Sequence, residues 1–162
     1  CRITLSKGKP LEWTTPSGWP MKVADREPTT RTVRTFLFGK RLNVNLQDQP
    51  INAPLSATQA NKSIGANFCH SLDSAYLVSL LNTCEDQSVQ VVTNHDCFAT
   101  QALTAGELHT TLHETMNNMY KEDLLKQAWI EMCVNSGINL PEPPWINTLD
   151  ESKIGSNPYL FS

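Results

Sequence analysis

A chain of 162 residues with 40% apolar content is long enough for one domain with a real core and too apolar for a disordered segment. No apolar run approaches the about 20 residues of a membrane-spanning helix, and five cysteines without a C-x-x-C pair do not make a disulfide framework. The formal net charge of −3 hides an asymmetry: residues 1–46 hold nine Lys or Arg against three acids, whereas residues 47–162 hold four against thirteen. The basic front end is expected to meet a polyanion, the alternative being a solvated basic hairpin without a partner. The odd cysteine count favours reduced thiols in a reducing compartment. No basic-then-apolar leader is visible, and a first residue of Cys rather than Met reads as a piece of a longer chain.

In chain order, "PLEWTTPSGWP" at residues 10–20 is turn chemistry, with Pro16-Ser17-Gly18 between two tryptophans. Residues 31–46 read as a β-hairpin, "RTVRTF" and "RLNVNL" joined by "LFGK". Strand alternation puts Leu42, Val44 and Leu46 on a packing face and Arg41, Asn43 and Asn45 on the other. Residues 47–66, polar and holding Pro50 and Pro54, read as a loop with a short helix near Thr58–Ser63. A helix is expected from Ser71 to Cys84, with Ser71 as N-cap and Asp73 in the first turn. Val89–Thr93 and Cys97–Thr100 read as short strands joined at His95-Asp96. A second helix begins near Ala105, announced by the capping-box pattern Thr104-x-x-Glu107, with Leu108, Leu112, Met116, Met119 and Tyr120 on its apolar face. A third helix spans about Asp123–Ser136 and ends at Gly137, after which "LPEPP" breaks the pattern and an extended tail, "NPYLFS", follows. The order predicts an α+β fold, with helices packed on one side of a small antiparallel sheet.

Three constellations carry candidate chemistry. Cys69, His70, His95 and Cys97 have the elements of a zinc site, but adjacent and i+2 ligands converge poorly on one ion. His109 and His113, at i and i+4, lack a third ligand and read as a polar helix flank. Asp96 is the third: a carboxylate held rigid at the turn of two apolar strands suits a catalytic divalent ion. Taken alone it is equally an ordinary turn residue, because aspartate and turns go together.

Three ordered blocks strengthen the reading of Asp96. "LEWTTPSGWP" is similar to the W-x-TP-x-G-x-P segment, "ANFCHSLDSAYL" to the PNF-x-HS-x-D-x-SH run, and "NHDCFAT" to the HD-S/C-F/Y-x-T block of the single-subunit RNA polymerases of phage and mitochondrial type. The end of the chain, "YLFS", also resembles the terminus of that family. The resemblance covers nearly all of the chain and looks like the C-terminal end of such an enzyme.

What the resemblance implies can be placed residue by residue. Asp96 matches the second metal-binding aspartate of the palm, and His95 before it shapes the turn. His70 matches a histidine near the primer–template minor groove, with a helix-stabilising role as the alternative. Asp73 matches an acid for which capping is at least as good a role as catalysis. The segment at about 23–49 sits where the family keeps its promoter-specificity loop. Arg34, Arg41 and Asn43 are the expected base readers, and Arg31 and Lys40 the expected phosphate contacts. Residues 1–66 would close the fingers and residues 67–162 would form the C-terminal palm, with the catalytic hairpin at 89–100. The implied fold is an incomplete right-hand polymerase, a small antiparallel palm hairpin packed with helices and preceded by a protruding β-hairpin.

The implied activity is template-directed RNA synthesis from nucleoside triphosphates by nucleotidyl transfer on two Mg2+ ions. The implied partners are double-stranded promoter DNA, the template strand, the RNA product and the upstream remainder of the polymerase, with no membrane. The first catalytic aspartate and the nucleotide-binding Lys and Tyr of the family have no counterpart here, so the chain alone is expected to be inactive. Ala66, Ala75-Tyr76 and Asn94 depart from the family's usual residues, which suggests a divergent phage or mobile-element relative. The setting would be the cytoplasm of an infected host cell, or the mitochondrion for an organellar or plasmid-encoded relative. The competing readings are a family-A DNA polymerase palm, in which Glu rather than Cys97 typically follows the aspartate, a non-catalytic nucleic-acid-binding module built on the basic hairpin, and a plain globular domain.

Overall fold

The computed structural model of the chain describes Leu5 and residues 8–94 and 96–143. The readings placed on Cys1, His95, the end of "LPEPP" and the tail "NPYLFS" lie outside the described residues. β1 (Leu11–Thr14) and β2 (Pro20–Val23) pair antiparallel, Leu11 opposite Val23. Their connection is closed by Thr15, whose backbone N–H donates to the Trp19 carbonyl (2.9 Å) and whose carbonyl accepts from Gly18 (2.8 Å). Gly18 takes φ +86°, which a side chain would oppose, so the turn read at Pro16-Ser17-Gly18 is present. β3 (Thr29–Leu37) and β4 (Lys40–Asp48) form a longer antiparallel hairpin, and Phe38-Gly39 is its two-residue loop.

The largest difference from the sequence expectation follows. Residues 57–86 are one continuous helix, α1 (Ala57–Asp86), where a loop with a short helix near Thr58–Ser63 and a separate helix from Ser71 were expected. Its N-cap is Ser56, whose hydroxyl accepts from the Gln59 N–H at 3.4 Å. The polar run "TQANKSIGAN" masks a stripe: Ala60, Ile64 and Phe68 recur every four residues and all pack on one core cluster. Ser71 is therefore no cap. It is buried at mid-helix, donating to the Phe68 carbonyl at 2.7 Å. Asp73 stands exposed on the same helix, away from its first turn.

β5 (Val91–Asn94) and β6 (Cys97–Thr100) form a third hairpin. A 3-10 turn (Ala102–Thr104) leads into α2 (Ala105–Met119), and α3 (Leu124–Ser136) follows. The capping box expected at Thr104 is not made. That hydroxyl is engaged backwards, by the Gln101 carbonyl (3.1 Å) and the Thr100 hydroxyl (2.8 Å). α3 is bounded as expected: Asp123 accepts from the Lys126 N–H at 3.0 Å, and Gly137 closes the helix at φ +62°. The fold is mixed α and β, and among the described residues the strands form three separate two-stranded hairpins rather than one sheet.

Two core clusters lie along α1. Its first half, through Ala60, Ile64 and Phe68, packs with Leu11, Trp13 and Val23 of the first hairpin and with Ala128 and Met132 of α3. Its second half, through Tyr76, Leu80 and Cys84, packs with Leu108 and Leu112 of α2 and with Val91 and Phe98 of the third hairpin. The β3–β4 hairpin joins neither. Its expected packing face is open, with Leu42 and Leu46 exposed and Val44 partly covered. The hairpin is tied at its base, where the Arg26 guanidinium donates to the Ala53 carbonyl (2.5 Å) and the Ser63 hydroxyl to Asp25 (2.7 Å).

Candidate functional site

Asp96 stands at the end of a connection whose width is fixed by the register of Asn94 opposite Cys97. The hairpin beneath is held by Phe98, which meets the Tyr76 ring edge-on at 6.4 Å, and by Val91 against the same cluster. Thr100 Oγ1 donates to the Gln90 carbonyl at 2.5 Å and fixes the hairpin's open end. The carboxylate is thus exposed on a braced support. Among the described residues it has no hydrogen-bond or ion-pair partner, so its oxygens face solvent. Two strands and an aromatic contact supply the rigidity a ligand needs.

His70 lies on the exposed side of α1. With Asn67 and Ser74 it lines a cleft of about 330 Å³, closed on the other side by Trp19 and Met21. No hydrogen bond, ring contact or ion pair among the described residues joins His70 to Asp96. Nor does any group of three His, Cys, Asp or Glu side chains among them stand close enough to hold a metal ion. Of the four residues weighed for zinc, Cys69 and Cys97 are free thiols and exposed, His70 is exposed on α1, and His95 lies outside the described residues. His109 and His113 face each other at 4.6 Å on α2.

Burial dominates the electrostatics around the second cluster. It pushes the Tyr76 hydroxyl well above the usual tyrosine range, with the nearby Cys84 adding to the shift, and it raises the Cys84 thiol too. The Tyr76 hydroxyl donates to the Leu112 carbonyl at 3.1 Å, which locks α1 to α2. Tyr120 is likewise raised, first by burial and then by the negative groups Asp73 and Cys69. The end of α2 therefore lies beside the block that holds His70.

The β3–β4 register sorts the candidate nucleic-acid contacts by face. Arg34 stands opposite Asn43, and Arg41 opposite Phe36, on one face with Thr32 and Asn45, whose side chains share a 2.8 Å hydrogen bond. Arg31 and Lys40 lie on the other face, opposite Leu46 and Leu37. All five candidate residues are exposed. The Arg41 guanidinium sits 5.7 Å from the Phe36 ring centre, a cation–π contact that restrains it.

One residue was missed from sequence. Ser71, read as a cap, accepts from the Trp13 indole N–H at 3.3 Å, and both side chains are buried. The signal was its place in the second block, next to His70, and an indole in the first block that requires an acceptor when buried. The contact has a wider consequence. α1 carries the second block, touches the first through Trp13 against Phe68 (6.0 Å) and Ser71, and touches the third through Tyr76 against Phe98. Three segments spread over almost ninety positions are joined by one helix.

The sequence profile described as "DNA-dependent RNA polymerase" matches residues 3–152. The chain is 24% identical over 163 residues to "DNA-directed RNA polymerase 3, chloroplastic" of Nicotiana sylvestris, covering 99% of this chain and 16% of that protein. It is 26% identical over 163 residues to "DNA-directed RNA polymerase 1, mitochondrial" of Arabidopsis thaliana, with the same coverage of 99% and 16%. A third relative, "DNA-directed RNA polymerase 2A" of Nicotiana tabacum, is 24% identical over 163 residues and is covered to 47% of its length. The chain spans less than half the length of each of these relatives.

Proposed function

Since this chain belongs to the DNA-dependent RNA polymerase family, we propose that it is the C-terminal part of a nucleotidyl transferase that synthesises RNA on a DNA template. The observation that carries this reading is the convergence of the three blocks on α1, with the Asp96 carboxylate exposed on a braced hairpin. In the proposed reaction an RNA 3′-hydroxyl attacks the α-phosphorus of a nucleoside triphosphate. One P–O bond forms, the bond to pyrophosphate breaks, and the hydroxyl proton is lost. Residues 1–66 would complete the fingers and residues 67–162 the palm, with α1 running through the junction.

The chemistry that bound magnesium supplies to such a reaction is neutralisation of phosphate charge and activation of the hydroxyl. Asp96 fits one ligand of such a site. No complete site stands among the described residues, and in this reading the further carboxylates come from the upstream polymerase, as the resemblance implies. On this reading the chain alone is expected to be inactive. His70, in its cleft beside α1, would contact the primer–template minor groove. Arg34, Arg41 and Asn43 would read promoter bases while Arg31 and Lys40 hold phosphates, which their division between two faces supports. The partners are then promoter duplex, template strand, RNA product, nucleoside triphosphates and the upstream polymerase. The chloroplastic and mitochondrial names of the relatives favour an organelle over the cytoplasm of an infected cell.

The test is a chimaera in which residues 1–162 replace the matching part of a related polymerase. RNA synthesis is expected from it. Asp96→Asn is expected to abolish synthesis while promoter-duplex binding persists. An Asp96→Asn chimaera that transcribes at the parent rate overturns the reading.

A further inference from the structure

The loop of the β3–β4 hairpin is built against local preference. With Leu37 paired to Lys40, Phe38 and Gly39 form a two-residue turn, and both have positive φ, +51° and +74°. Such a turn selects Asn, Asp or Gly at its first position, and a bulky residue there is an outlier. Phe38 is also 95% exposed, so no packing inside the fold offsets the strain. Its neighbours repeat the pattern: Phe36 and Leu37 are exposed as well. Strain held at an exposed aromatic, with no internal contact to justify it, points to an external one.

Charge identifies the external partner. Four cations flank the tip, Arg31 and Lys40 on one face and Arg34 and Arg41 on the other, against one acid in the hairpin, Asp48. Cations on both faces of a projecting aromatic tip suit a polyanion whose backbone passes on either side. An apolar protein partner would gain nothing from them. A ring at the end of such a tip stacks on a nucleobase, and an unpaired base offers its face without the cost of opening a base step.

We propose that the hairpin tip is a stacking platform for an unpaired DNA base, with Phe38 as the stacking ring. This rests on the reading of the hairpin as a DNA contact and adds to it a function at the boundary between paired and unpaired DNA. Base reading by Arg34, Arg41 and Asn43 concerns the polar face, and stacking concerns the tip.

The experiment titrates the 162-residue chain with two labelled duplexes of one sequence, one fully paired and one carrying a single bulged base. The unmodified chain is expected to prefer the bulged duplex about ten-fold, within the range found for one aromatic–base stack. Phe38→Asn, which suits positive φ and so keeps the turn, is expected to remove that preference while paired-duplex affinity holds. Phe38→Trp is expected to retain it. The proposal is overturned if Phe38→Asn keeps the preference or if the unmodified chain shows none. The paired duplex reports separately on the underlying reading. If Arg41→Ala weakens paired binding but Phe38→Asn leaves the preference intact, the hairpin contacts DNA and the tip does not stack. If the chain binds neither duplex, both ideas fail.

Discussion

Removing the Ser71 hydroxyl tests the junction between the first and second blocks. Trp13 is 2% exposed, and its indole N–H has the Ser71 oxygen as its acceptor at 3.3 Å. Ser71→Ala leaves that N–H buried and unpaired, which costs about 1–3 kcal/mol. The distance lies just beyond the usual N–H···O range, so the low end applies, about 1 kcal/mol. Trp13→Phe removes the donor instead and leaves the Ser71 hydroxyl its bond to the Phe68 carbonyl. Once the donor is gone, Ser71→Ala has no orphaned indole to create. The two substitutions are therefore expected to be non-additive, with a coupling of about 1 kcal/mol. The assay is urea unfolding of the 162-residue chain and its three variants, followed by far-ultraviolet circular dichroism. Strict additivity, within a few tenths of a kcal/mol, would refute the claim that this bond joins the blocks.

Two other predictions concern charge. Tyr76 and Cys84 keep their protons in the folded chain to higher pH than in the unfolded one, because burial raises both. Their contribution is complete below the unfolded values, about 8.5 for Cys and about 10 for Tyr, and is lost as pH rises above them. The urea midpoint should therefore fall from about pH 9 upward, and Tyr76→Phe should make the fall shallower; a midpoint constant to pH 11 would contradict this. On the hairpin, Arg31→Ala with Lys40→Ala should weaken binding to every duplex and reduce the salt slope by about 2. Asn43→Ala should instead reduce discrimination between duplexes, which competition between promoter and scrambled DNA measures.

The legible parts of this fold were those with local signals. Asp123 and Gly137 bound α3 as read, and Pro16-Ser17-Gly18 turns as read, because each rests on a residue's own backbone preference. The alternation in "RLNVNL" placed Arg41, Asn43 and Asn45 together on a strand face. Where the reading failed, tertiary contacts outweighed local signals. The short helix read near Thr58–Ser63 was not carried on to Ser71 because Asn61, Lys62, Gly65 and Asn67 dilute the stripe, and the surfaces of β1 and α3 give Ala60, Ile64 and Phe68 their reason to align. The same holds for Ser71, whose acceptor role depends on an indole 58 positions away. Leu42 and Leu46 alternate like core residues yet find no core, because alternation alone does not separate a buried face from that of a projecting hairpin; the projection was implied by the family resemblance. For the site, the position of Asp96 in a turn was legible. Its support by Phe98 on Tyr76 was not, since that contact joins a strand to a helix by an aromatic edge that no spacing announces.

The central claim is that Asp96 is a metal ligand in the assembled polymerase. The most direct measurement is the metal preference of the chimaera carrying Asp96→Cys. A thiolate is a poor ligand for Mg2+ and a good one for softer ions, so RNA synthesis should be lost in Mg2+ and recover when Mn2+ or Cd2+ is added. Synthesis in Mg2+ at the parent rate, or a loss unaffected by the softer ions, would contradict the account and leave Asp96 as a turn residue.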